Sequence, residues 1–314
     1  MIPLKKNLKR IVICLVSIFL ILGSYITINH ALLRKTIYGD WNYLVKIGNY
    51  NLYPESSMKV LFFGSSHTYC SMDAKLLKEK YDVDAYVLAT QRQSIKLNYY
   101  YIIEALKTQN PKTIVVELYM ATRAEEYQDN DVLHDALDVL PMSYNKHQMI
   151  QNLVPEEDRL EFYFPIIKYH TRWKELSKED FSYDYKKWID VDRGYVRLNR
   201  VYPVECNLDY QFEEYKELSK QDLEYLEKIE NLTKEKGIEL IYMIAPYPMK
   251  QDDVNLTYTL ENYANEKNIE FVNGYELMTE LNYDANKDFC DEYGHLNESG
   301  AKKLTEYFAE RFLD

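Results

Sequence analysis

The chain has 314 residues, 38 Lys and Arg against 50 Asp and Glu, a formal charge of −12, and 46% hydrophobic residues. That length fits one large domain, or a domain carrying a big insertion. An acidic chain of this kind repels phosphate backbones, which excludes nucleic acid as a partner, and it calls for a tether rather than adsorption if it is to stay at an anionic membrane.

Residues 1–10 carry Lys5, Lys6, Lys9 and Arg10 and no acid. Residues 11–28 (IVICLVSIFLILGSYITI) then run without a charge, close to the roughly 20 apolar residues that cross a bilayer as a helix. The positive-inside rule puts residues 1–10 in the cytoplasm and everything after Asn29 outside. A cleaved signal peptide is the rival reading. Against it, the apolar run is long for an h-region and HALLRK follows it, not an A-x-A-like site. The expectation is a single-pass signal anchor over 11–29 in the cell membrane, a juxtamembrane linker over 30–57, and an extracellular domain over 58–314. The tail holds four of the cations and none of the acids, so the remainder carries −16.

Five short apolar runs then read as buried parallel strands: Lys59–Phe63, Ala85–Leu88, Thr113–Leu118, Glu239–Ala245 and Ile269–Val272. Helical patterns follow or separate them at Asp73–Tyr81, Ile95–Leu106, Asp222–Lys236, Asn255–Glu266 and Glu298–Leu313. Ser219-x-x-Asp222 caps the third of these helices and Gly237 stops it. Ala301, Leu304, Phe308 and Phe312 form an apolar stripe on the last. Alternation of this kind predicts a doubly wound α/β sheet with right-handed crossovers. About 100 residues, 119–218, separate the third and fourth strands. That is too long for an ordinary crossover and predicts a partly helical insertion beside the active edge.

Cys14 falls in the apolar run, leaving Cys70, Cys206 and Cys290 outside, an odd number without metal-ligand spacing. The six His are scattered, with no H-x-x-x-H or H-x-H pair, so neither a metal nor another cofactor is expected.

Two segments carry chemistry. GSSHTYC (64–70) follows the first strand, where open α/β sheets bind ligands. A Ser at such a turn has backbone N–H groups nearby for an oxyanion. DEYGHLNESG (291–300) precedes the last helix and sets His295 behind two carboxylates, Asp291 and Glu292. A nucleophilic Ser needs a base, and the base needs an acid to fix its tautomer. Ser66, His295 and one of the two acids supply all three. Alone, a Gly-Ser-Ser turn is a common helix cap; together, the two segments point to acyl transfer through serine. No G-x-S-x-G elbow is present.

FFGSSHTYCSMD, AYVLATQRQSIKLNYYYIIEAL and DEYGHLNESGAKKLT resemble the first, second and last blocks of the SGNH/GDSL hydrolase superfamily. The likeness is greatest to its membrane-anchored bacterial branch, the DltD-like and polysaccharide O-acetyltransferase-like proteins. The resemblance implies a three-layer α/β/α sandwich with five parallel strands in flavodoxin-like order, preceded here by one transmembrane helix, with Ser66 as nucleophile and His295 as base. Two departures stand out. Gln91-Arg92 replaces the family's Gly, leaving the amides of Gln91 and Gln93 as oxyanion donors. Glu117 replaces its Asn, and an ionised carboxylate cannot donate. Family register points to Glu292 as the orienting acid, while Asp291, with its shorter side chain, stays open. His67 is read as lining the cleft or capping the helix, and Arg172 (with His170) as holding an anionic substrate or as structural. The implied activity is transfer or removal of a small acyl group, such as acetyl, on a cell-surface polysaccharide or other acyl ester, with a multispanning membrane acyl-donor protein as partner. The rivals are a plain esterase and a catalytically silent scaffold in an envelope-polymer complex.

Overall fold

Five strands make one parallel sheet in the computed structural model, which describes residues 4–33, 42–121, 123, 129–182 and 184–313. They are β1 (Val60–Gly64), β2 (Ala85–Ala89), β3 (Thr113–Glu117), β4 (Glu239–Ile244) and β5 (Glu270–Asn273), in the order β2-β1-β3-β4-β5. Phe62 pairs with Val87 on one side and Val115 on the other. Every residue of β1, β2 and β3 is buried. That explains their unbroken apolar runs, since a parallel sheet is covered on both faces.

The helices are α1 (Leu4–Leu32), α2 (Ser66–Tyr69), α3 (Ala74–Tyr81), α4 (Ile95–Ala105), α5 (Asn130–Leu137), α6 (Tyr144–Leu153), α7 (Arg159–Tyr163), α8 (Ile166–Tyr169), α9 (Lys220–Lys236), α10 (Gln251–Lys267), α11 (Gly274–Glu280) and α12 (Glu298–Phe312). The step from β1 to β2 runs opposite to the steps from β2 to β3 and β3 to β4. Right-handed crossovers therefore put α3 on one face and α4 and α9 on the other. Packing agrees: α4 lies on α9, and α12 joins α3, with the Phe308 ring 5.3 Å from that of Phe62. Ser219 caps α9 through the Asp222 N–H at 3.0 Å. Helix α10 starts four residues before its expected position because Asp253 accepts the Lys250 N–H at 3.0 Å and closes an earlier turn.

One expectation about the flanks changes. Residues 42–53, read as part of a linker, pack into the domain. Tyr43, Ile47 and Tyr50, at helical spacing, are buried in the core, and the Lys46 ammonium donates to the Tyr195 carbonyl at 2.7 Å. Residues 34–41 of that stretch lie outside the described residues. Among its described residues the insertion is helical through α5–α8 and a few 3₁₀ turns. Its later part runs extended across the edge that carries the sheet's carboxyl ends. Val196 N–H donates to Tyr69 O, Tyr202 N–H to Phe289 O, and Glu298 N–H to Leu198 O, all at 2.8–2.9 Å.

Within α1, Asn7–Leu32 is long and apolar enough to cross a membrane, with an 18-residue window of mean hydropathy 2.7 that is not buried in the domain. Its last turns meet the insertion. Arg172 donates to the Leu32 and Leu33 carbonyls, each at 2.9 Å, and His30 stacks on Tyr185.

Candidate active site

The strand order reverses between β1 and β3, and it is beyond the carboxyl ends at such a switch point that open α/β sheets bind ligands. Gly64 ends β1 at φ +152°, and a Cβ there would lie 2.2 Å from Thr68 Oγ1 and 2.7 Å from Glu117 Cβ. Glycine thus lets the chain turn against β3. Ser65 caps α2 by accepting the His67 N–H, and Ser66 opens that helix.

From the far end of the chain, Asn297 caps α12 and the loop before it brings His295 over α2. The Ser66 hydroxyl donates to His295 Nε2 at 2.8 Å, and His295 Nδ1 donates to Asp291 Oδ2 at 2.7 Å. The other Asp291 oxygen accepts the Tyr293 and His295 N–H groups at 3.0 and 3.2 Å. Burial raises the Asp291 pKa, but these hydrogen bonds and the His295 charge outweigh it and leave the carboxyl below its usual range. Glu292 is exposed on the same loop. The loop admits the four-residue spacing through Gly294, at φ +78°, where a Cβ would stand 2.2 Å from Pro248 Cδ. Among the described residues no carbonyl accepts the Ser66 backbone N–H, one of the orphan donors of a helix start.

His67 is buried beside this chain, its ring 4.6 Å from that of His295 and 3.9 Å from that of Tyr119. The Arg123 guanidinium lies 4.3 Å over the other end of the row, at Tyr119, donates to the Tyr247 hydroxyl at 3.2 Å and pairs with Asp253. Burial first, then His295 and Arg123, hold the His67 pKa well below its usual value, so the ring is neutral. Tyr119, Arg123, Tyr247 and Asp253 escaped the sequence reading. Tyr119 and Tyr247 follow the carboxyl ends of β3 and β4, a position that could have flagged them.

Glu117 is buried under the nucleophile turn. Its Oε2 accepts from Ser65 Oγ at 3.1 Å and Thr68 Oγ1 at 3.4 Å, and its Oε1 accepts the Tyr119 N–H at 2.7 Å. Burial pushes its pKa up to about 7, against the pull of the Tyr119 and Ser65 hydrogen bonds.

The expected oxyanion donors need correction. The Gln91 N–H donates to the Tyr43 hydroxyl at 3.1 Å, and the Gln93 N–H to the Thr90 carbonyl at 3.3 Å. The Gln93 side chain is buried, bonded to Leu88 O, Asn98 and Thr90. Arg92, exposed, takes φ +51°, the left-handed conformation that a glycine would adopt without strain. Arg172 sits at the end of α1, bonded also to Asp180 at 3.0 Å, and the exposed His170 bonds to Ile167 O. Cys290, Asp291 and His295 offer three ligand atoms within 4.8 Å of one another. Burial, then Asp291, pushes the Cys290 thiol up to about 12, and His295 Nδ1 is bonded to Asp291. Cys70, Cys206 and Cys290 are all free thiols.

No family model and no curated protein matches the chain. Among solved structures it is similar to a Bacteroides fragilis protein provisionally assigned as an acylhydrolase, at 12% identity and a TM-score of 0.41, over 84% of this chain and 92% of that one.

Proposed function

We propose that the chain is a membrane-anchored serine acyl-ester enzyme of the SGNH/GDSL kind, working outside the cell on an envelope polysaccharide. The observation that carries this reading is the continuous hydrogen-bonded chain from Ser66 through His295 to Asp291 at the carboxyl edge of the sheet. His295 Nε2 takes the Ser66 proton as Oγ attacks the acyl carbonyl, and Asp291 holds the imidazole tautomer and stabilises its positive charge. The Ser66 N–H lies next to the developing oxyanion. Protonation of the leaving alcohol by His295 yields an acyl-enzyme. Water or a sugar hydroxyl then takes the acyl group by the reverse proton path. A silent scaffold would not need the nucleophile, base and acid to be hydrogen-bonded in series.

A fluorophosphonate applied to the purified full chain tests the assignment. It should label Ser66, and Ser66→Ala should abolish the adduct. Labelling that survives in Ser66→Ala, or that maps to Ser65, overturns it. Labelled-acetyl donors distinguish the two fates of the acyl group, since a hydrolase releases acetate without modifying glycan.

A further inference from the structure

Among the exposed large apolar side chains of the insertion, Phe164 (47%), Ile167 (48%), Trp173 (65%) and Phe181 (52%) lie on or next to the elements that pack on α1. Single exposed apolar residues are ordinary, but a group of them marks a contact surface. Their position in the fold says which one. Ile167, Trp173 and Phe181 belong to α8 and to the 3₁₀ turns His170–Lys174 and Glu179–Phe181, and all three elements pack on α1. Phe164 meets Tyr25 of α1 edge-on, with ring centroids 6.4 Å apart.

Those contacts give a depth. Between Arg10 and Arg34 the chain has no Asp, Glu, Lys or Arg, which as helix spans about 35 Å, against a hydrocarbon core of about 30 Å. Tyr25 lies about 22 Å along that stretch from Arg10, inside the outer boundary of the acyl region. Whatever touches Tyr25 is at that boundary too. Arg172, on the Leu32 and Leu33 carbonyls, sits about two turns higher. The local charge also suits the surroundings. From Phe164 to Trp188 there are six Lys and Arg against four Asp and Glu, in a chain of net −12.

We infer that this part of the insertion is a membrane seat: Phe164, Ile167, Trp173 and Phe181 enter the boundary between headgroups and acyl chains of the bilayer that α1 crosses. Aromatic rings belong at that boundary, and the excess of cations draws it to anionic headgroups. The seat continues in sequence into the extended segment that bonds to Tyr69 and Phe289, next to the loops of Ser66 and Asp291, and so holds the catalytic edge at one orientation to the bilayer. The inference rests on the reading of α1 as a membrane span.

The test uses the full chain in vesicles of phosphatidylcholine and phosphatidylglycerol. Of the three Trp residues, Trp41 and Trp188 are changed to Phe, leaving Trp173. Acyl chains brominated near their carbonyl ends should quench Trp173 at least two-fold, and chains brominated near their methyl ends much less. An unmutated chain photolysed with a diazirine phospholipid should carry adducts at Phe164–Phe181 as well as on α1, which covers the case of a misfolded Trp variant. Unquenched Trp173 and adducts confined to α1 overturn the seat. Blue-shifted but unquenched emission also overturns it, because protein, such as a second copy of the chain, would then cover the surface. Loss of the chain in a carbonate wash refutes the membrane span, and the seat with it; retention in the wash with an unquenched Trp173 refutes the seat alone.

Discussion

Glu117→Gln should change how stability depends on pH while nearly preserving shape. Burial raises the Glu117 pKa from 4.5 to about 7, so the fold prefers the protonated acid. The stability this confers is complete below pH 4.5, declines as the unfolded chain ionises, and is gone once pH passes about 7. The gap between the two values is worth about 3 kcal/mol. Gln is neutral throughout. Its oxygen can accept the Tyr119 N–H, and its amide can donate to the Ser65 and Thr68 hydroxyls, which rotate to accept. Any hydrogen-bond penalty of the substitution is therefore the same at every pH, and the pH-dependent part of the difference isolates ionisation. Thermal unfolding of both full chains in nanodiscs at pH 5 and pH 8.5 provides the assay. Part of the effect is already gone at pH 5, so from pH 5 to 8.5 the wild type should lose about 2.5 kcal/mol, or about 5–10 °C, relative to Glu117→Gln, at about 2–4 °C per kcal/mol for a domain of this size. A difference in Tm that stays constant between the two pH values refutes the argument, and with it the reading of Glu117 as a buried acid near neutrality.

Asp291→Asn should lower acyl-ester turnover by about 10⁴-fold, the effect of losing the tautomer-fixing acid in such triads, whereas Glu292→Gln should leave it within about two-fold; similar mild losses in both, read by steady-state hydrolysis of a nitrophenyl acetate, would make the centre a Ser–His dyad. Gly294→Ala should cost about 1–3 kcal/mol for a strained left-handed residue and also lower turnover, because its Cβ meets Pro248 and displaces the loop that carries Asp291; a wild-type Tm and rate would refute this. Single cysteines introduced after residue 42 should react with an impermeant thiol reagent on intact cells, and ones before residue 10 should not. The reverse pattern would put the site in the cytoplasm.

Elements whose cause is local were legible in the sequence. The runs VLFF, AYVL and TIVVE could only be strands buried on both faces. Ser219 and Gly237 bound α9 because a cap needs one hydroxyl and one left-handed residue, both written at fixed positions. Placing Ser66 after β1 and His295 before α12 put both at the same sheet edge, since in a right-handed doubly wound fold all strand ends of one polarity lie together. Features that depend on which segments meet were not legible. Asp291 and Glu292 are neighbours in sequence, and only the backbone path through Gly294 turns one carboxylate onto His295 and leaves the other in solvent. Gln91 and Gln93 looked available until Tyr43, some fifty residues earlier, and the carbonyl of Thr90 were seen to take their amides. Arg172 became a clasp on α1 because the insertion folds back to the anchor, a contact across 139 residues or more that no spacing encodes. The row from His295 through His67 and Tyr119 to Arg123 joins three separate segments. Periodicity and caps report what each residue needs from its near neighbours, whereas partner choice within the site is decided by packing between distant segments, which the chain reaches only when it is folded.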